Sequence, residues 1–163
     1  MKVCVFAGSF DPFTIGHESV VQKCLDIFDK VVIAVGKNAD KNPLLLVDER
    51  VDLIKEIYKE NSFVEVCSFD GMLVNFMKER GIKVTVRGIR NLDDYKYENT
   101  MAQYNLDLYP EITTVYIPTP ASIAHVSSSG VRTIVNTGGN FSAYIPEKGK
   151  EFFSKALKKT NNN

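Results

Sequence analysis

The most constraining feature of this chain is a regular exchange of two hydrophobic periods. Short apolar, β-rich runs stand at residues 2–7, 31–35, 63–67, 82–86 and 113–117. Between them lie longer segments whose apolar residues recur every three or four positions, such as Val20, Val21, Cys24, Ile27 and Phe28. The first kind suits strands buried on both faces and the second suits amphipathic helices. Strict alternation of the two predicts an α/β fold: a five-stranded parallel sheet, Rossmann-like, with helices on both faces. Helices are expected over about 16–28, from Val47 to Tyr58, over 72–80 ended by Gly81, over 92–108 stopped by Pro110, and around 131–136 ended by Gly138-Gly139. A last helix is expected to start at Pro146 and run to about Leu157, leaving 158–163 as a frayed tail. No linker or repeat divides the 163 residues, which are read as a single domain, 1–163.

In such sheets ligands bind beyond the carboxyl ends of the strands, where the strand order reverses. With the order 3-2-1-4-5, strands 1 and 4 flank that crevice. The two least ordinary stretches follow those two strands. After the first comes Gly8-Ser9-Phe10-Asp11-Pro12-Phe13-Thr14-Ile15-Gly16-His17, and after the fourth Arg87-Gly88-Ile89-Arg90. Asp11-Pro12 fits a turn, and Thr14 is a candidate helix N-cap that puts His17 in the first helical turn. Free N–H groups there attract anions, and the helix dipole favours a neutral imidazole that still donates a hydrogen bond. Two fixed guanidinium charges beside a glycine suit phosphates. Ser127-Ser128-Ser129 opens another helix and offers an uncharged phosphate cradle.

Composition narrows the classes. Lys and Arg total 20 and Asp and Glu total 20, so the net charge is zero and a broad nucleic-acid surface is disfavoured. No apolar run is long enough for a membrane helix, and the short apolar start is not a signal peptide, so a cytoplasmic protein is expected. Three scattered cysteines without a C-x-x-C pair read as buried, reduced thiols rather than a disulfide or zinc framework. No metal-ligand cluster stands out.

The 8–17 stretch resembles the T/H-x-G-H motif of the nucleotidyltransferase superfamily. Taken with Lys41 and Pro43, Asp48-Glu49-Arg50, Arg87-Gly88-Ile89-Arg90, Tyr97-Glu98, Asn105 and the triple serine, the chain is similar to the phosphopantetheine adenylyltransferases from Met1 to about Leu157. The resemblance implies adenylyl transfer from ATP to 4′-phosphopantetheine, giving dephospho-coenzyme A and pyrophosphate. It implies His17, Lys41, Arg90 and Ser9 as catalytic residues. It implies Ser9, Phe10, His17, Gly88, Arg90, Glu98 and Ser127–Ser129 as ATP contacts, with Arg132 towards the phosphates. For phosphopantetheine it implies Ser9, Lys41, Met72, Leu73, Arg87 and Asn105, although spacing alone makes Met72 and Leu73 core residues. Mg²⁺ is implied with ATP, held mainly by the phosphates. A homohexamer and coenzyme A as a feedback ligand are implied as well, and neither nucleic acid nor membrane as a partner. Another acceptor, such as nicotinate mononucleotide or a polyol phosphate, and a non-catalytic adenylate sensor are the competing readings. Ala7, Ile123-Ala124-His125-Val126 and Gly130 depart from the family's usual residues, and His125 receives no catalytic role.

Overall fold

The computed structural model describes residues 1–37 and 42–160. Five strands, β1 (Val3–Gly8), β2 (Lys30–Gly36), β3 (Val64–Phe69), β4 (Val84–Ile89) and β5 (Thr113–Pro118), form one sheet. Its order is β3-β2-β1-β4-β5, and every neighbouring pair is parallel. This is the α/β architecture that the alternating periods predict. The order reverses between β1 and β4, where Val5 lies beside Thr85 and Phe6 beside Val86.

Side-chain alternation along the central strands divides the core in two. Cys4 and Phe6 of β1, with Val31, Ile33 and Val35 of β2, face α1 (Ile15–Ile27), α2 (Val47–Tyr58), α5 (Ser128–Asn136) and α6 (Lys150–Thr160). Val5, Ala7, Val32 and Ala34 face α3 (Leu73–Glu79) and the Tyr109–Ile112 segment that follows α4 (Leu92–Leu108). β1 and β2 are therefore buried on both faces, which explains their unbroken apolar runs. Cys4 and Cys24 are buried free thiols, while Cys67 is half-buried rather than buried.

The last helix differs from expectation at both ends. Pro146 opens a short 3₁₀ turn, Glu147–Gly149, and α6 starts only at Lys150. The helix then continues through Thr160, so 158–160 are helical, against the expected frayed tail. Phe153, Ala156 and Leu157 anchor it in the core, and Lys158 and Lys159 lie at the negative end of its dipole. α4 has no buried residue at all along its 17 positions. No helix among the described residues is long and apolar enough to cross a membrane.

Candidate active site

At the end of β1 the chain turns sharply. Phe10 takes φ 47°, a left-handed conformation uncommon for a non-glycine residue, and its ring tucks into the core. Gly8 lies under that ring: a Cβ there would meet it at 3.0 Å. Asp11 is buried, and its role is larger than the expected local turn. Its carboxylate accepts the N–H groups of Leu44 and Leu45 at 2.8 Å each. It also faces Arg50 Nε at 3.6 Å. Arg50, equally buried, donates to the carbonyls of Leu45 (2.7 Å) and Ser9 (3.1 Å). A buried ion pair, each partner of which also hydrogen-bonds backbone groups, thus clamps the loop to the start of α2.

Thr14 caps α1, as its type and position predict. His17, three residues on, reaches back: its Nδ1 accepts the Thr14 backbone N–H at 3.0 Å. That bond requires Nδ1 to be the unprotonated nitrogen, which leaves the proton of a neutral ring on Nε2. The ring stands among Phe10, Phe13 and Phe6, with centroids 5.0, 5.3 and 6.1 Å away. Burial first, then the charges of Arg90 and Arg87, push the His17 pKa down to about 3. The neutrality expected from the helix dipole is therefore dominated here by desolvation and two neighbouring cations.

His17 opens on a cavity of about 350 Å³ at the β1–β4 switch point. Ser9, Phe10, Gly88, Arg87, Arg90, Glu98, Ser127, Ser128, Ser129 and Arg132 line it as well. Gly88 is needed for close packing, since a Cβ there would meet Val20 Cγ2 at 2.8 Å. Phe10 contributes mainly as a wall against His17. Among the described residues the Ser9 hydroxyl has no hydrogen-bond partner, while its carbonyl is held by Arg50. Ser127 caps α5 by accepting from Gly130 N–H at 3.0 Å. Ser128 donates to the Pro12 carbonyl at 2.8 Å, and Arg132 donates to the Asp11 carbonyl at 2.8 Å. The start of α5 is thereby bound to the first loop across more than a hundred residues of chain.

A second cavity, about 270 Å³, lies alongside. Met72, Leu73, Tyr97, Met101, Ala102 and Asn105 give it a largely apolar lining. Met72 is about half exposed, not core. Arg87 and Glu98 line both cavities and so stand between them. Arg87 gives Nε and Nη2 to the two Glu98 oxygens, at 2.7 and 2.6 Å, and Nη1 to the Ala7 carbonyl at 2.5 Å. Arg90 is gripped in the same manner by Asp94, at 2.8 and 3.0 Å. Asp94 lines the larger cavity and was not singled out from sequence, although its spacing of four from Arg90 is the available signal. Thr119 is a further lining residue outside the sequence-based set, and His125 lies outside both cavities. Lys41 falls outside the described residues. The remaining sequence-predicted site residues converge on one or both of these adjoining cavities.

Comparison with known proteins agrees with this geometry. Residues 5–134 match the cytidylyltransferase-like family. A phosphopantetheine adenylyltransferase from Cytophaga hutchinsonii is 41% identical over 147 residues, covering 90% of this chain and 98% of the relative. One from Clostridium tetani is 40% identical over 162 residues, covering 99% of each. In fold, the chain is similar to a bifunctional NMN adenylyltransferase/ADP ribose pyrophosphatase from Francisella tularensis, with a TM-score of 0.73 at 16% identity, over 99% of this chain and 54% of that one. The chain belongs to the cytidylyltransferase-like family of nucleotidyltransferases and, within it, to the phosphopantetheine adenylyltransferases.

Proposed function

We propose that the protein transfers the adenylyl group of ATP to 4′-phosphopantetheine, releasing pyrophosphate and forming dephospho-coenzyme A. The observation that carries this reading is near full-length similarity to relatives of that name, at about 40% identity. The paired cavities support it, because one reaction must seat a triphosphate and a long, largely uncharged acceptor tail side by side. The polar, arginine-rich cavity suits ATP, and the apolar one with Asn105 suits the pantetheine arm.

In the reaction an oxygen of the acceptor phosphate attacks the α-phosphorus in line. The new O–P bond forms as the bond from the α-phosphorus to the bridging oxygen breaks, and pyrophosphate leaves. The acceptor is already an anion, so no protein nucleophile or general base is required. The protein's share is placement and charge stabilisation. His17 donates from Nε2 to an α-phosphate oxygen, and Nδ1, held by Thr14, keeps that proton outward. Arg90 supplies fixed positive charge to the triphosphate, and Arg87, between the cavities, receives the acceptor phosphate. Ser9 and Lys41 complete the hold on the acceptor, with Lys41 also countering developing charge. Glu98 acts on the nucleotide side while orienting Arg87. The serines of α5 and the Gly88 backbone border the ATP phosphates.

Mg²⁺ enters as part of the ATP substrate. The acids lining the larger cavity, Asp94 and Glu98, are both paired with arginine, so the triphosphate would supply most of the ion's ligands, and the ion would add positive charge to the phosphates. Coenzyme A carries both an adenylate and a pantetheine arm, and on that chemistry we propose it as a feedback ligand of the same two cavities. A homohexamer in the cytoplasm completes the reading. The outer face of α4, with Leu92, Tyr97 and Tyr104 each at least 60% exposed, is the face we assign to subunit contact.

The deciding experiment is pyrophosphate release from ATP with phosphopantetheine, with nicotinate mononucleotide, with a polyol phosphate and with no acceptor. Release with phosphopantetheine alone is expected. Faster release with another acceptor, or ATP binding without release, overturns the assignment.

A further inference from the structure

We infer that Asp94 is a positioning residue that presents the Arg90 guanidinium to the triphosphate; the inference rests on the adenylyl-transfer reading of the larger cavity. Three bonds run between the two residues. Arg90 donates Nε and Nη2 to separate Asp94 oxygens at 2.8 and 3.0 Å, and the Arg90 backbone N–H reaches Asp94 Oδ2 at 3.1 Å. Asp94 is itself fixed, because its backbone N–H donates to Asn91 Oδ1 at 2.9 Å and so locks it into the first turn of α4. The carboxylate pKa is lowered, chiefly by the hydrogen bond from Arg90, so it stays charged at neutral pH.

The geometry of the grip matters more than its strength. The side chains are 34% and 21% exposed, and an ion pair so wetted adds little to stability. What the fork does is freeze the plane of a long side chain. Asp94 occupies the Nε/Nη2 edge. Nη1 has no partner among the described residues, so its two N–H donors remain for a ligand in the cavity that Arg90 lines. Arg87 differs here: its Nη1 is already committed to the Ala7 carbonyl. Asp94 thus leaves one arginine both immobile and open. An arginine ordered before the nucleotide arrives does not have to lose rotamer freedom on binding.

The test compares Asp94→Asn, Asp94→Glu, Arg90→Ala and the double variant Arg90→Ala/Asp94→Asn. Each is assayed by steady-state kinetics in both substrates and by calorimetric ATP binding. Asparagine keeps one acceptor for the Arg90 backbone but offers an NH₂ where Nη2 needs an oxygen. Asp94→Asn is expected to lower kcat/KM for ATP by about ten- to a hundredfold, the range for a misplaced catalytic group, with KM for the acceptor unchanged. Asp94→Glu should retain more activity than Asp94→Asn. The double variant should match Arg90→Ala alone, because Asp94 acts only through Arg90. The proposal is overturned by additive losses in the double variant, by ATP kinetics of Asp94→Asn equal to the parent's, or by tighter ATP binding in Asp94→Asn, which would make Asp94 a competitor of the phosphates. Failure of the parent enzyme to use phosphopantetheine would instead sink the functional reading, while the calorimetric comparison still reports on Asp94.

Discussion

Arg87 and Glu98 meet through two nearly parallel hydrogen bonds of 2.7 and 2.6 Å, and this one pair lines both cavities of the site. The contact joins the carboxyl end of β4 to the middle of α4. A guanidinium in that place, held on one edge by a carboxylate and on the other by the Ala7 carbonyl, is oriented before any ligand binds.

Removing the carboxylate should therefore disturb acceptor binding through Arg87. Glu98→Gln is expected to raise the apparent KM for phosphopantetheine by about tenfold, in line with loss of a charge-assisted hydrogen bond. Arg87→Ala should raise it further. Calorimetry with each substrate checks the division: a loss confined to ATP in both variants would move Arg87 from the acceptor to the nucleotide, beside Glu98.

His17→Ala should lower kcat by roughly a hundred- to a thousandfold, the range for losing one donor aimed at developing charge. ATP affinity should change little, because the contact strengthens in the transition state. His17→Asn or His17→Gln should recover part of the loss, since an amide also donates without titrating. Kinetics paired with binding on folded variants decide it; unchanged kcat with weakened ATP binding would make His17 a ground-state anchor.

The depressed pKa of His17 also links stability to acid. Its folded value is about 3, against about 6.5 in an unfolded chain. Between those values the unfolded state binds the extra proton, so stability rises with pH through this window. The contribution is complete above about pH 6.5 and is lost as pH falls towards 3. His17→Asn should flatten the slope of denaturation free energy against pH between roughly 4 and 6.5. An unaltered slope would mean that the ring is not buried in its neutral form.

Asp11 and Arg50 form the clamp that holds the first loop, and neither tolerates losing the other. Arg50→Ala should destabilise the fold by about 3–5 kcal/mol, because it strands a buried carboxylate. Urea denaturation at neutral pH measures this. A cost below about 1 kcal/mol, the value of an exposed pair, would show that water reaches Asp11.

How much of this was legible in the chain follows from the range of each signal. The alternation of strand and helix periods determined the fold class and the sequence of elements, because burial on one or both faces leaves a mark within a few residues. But β4 runs from Val84 to Ile89 and so contains Arg87, Gly88 and Ile89, which the apolar run at 82–86 had placed after it. The turn at Asp11-Pro12, the cap at Thr14 and His17 in the first helical turn were likewise local, and so was the glycine stop at Gly81, where φ is 64°. The tertiary structure alone decided the rest. Asp11 reads locally as a turn residue, yet its carboxylate is satisfied by Leu44, Leu45 and Arg50, more than thirty positions away. Ser128 and Arg132 reach back to Pro12 and Asp11 across 116 and 121 positions. The low pKa of His17 needs the Phe10 and Phe13 rings and two arginines brought from β4 and its end. Arg87 and Glu98 stand eleven apart on different elements, and nothing in their spacing says that they touch. Periodicity records which side of an element is dry; which charges share a cavity depends on how strands and helices turn against one another, and that is set only when the parallel sheet closes around its switch point.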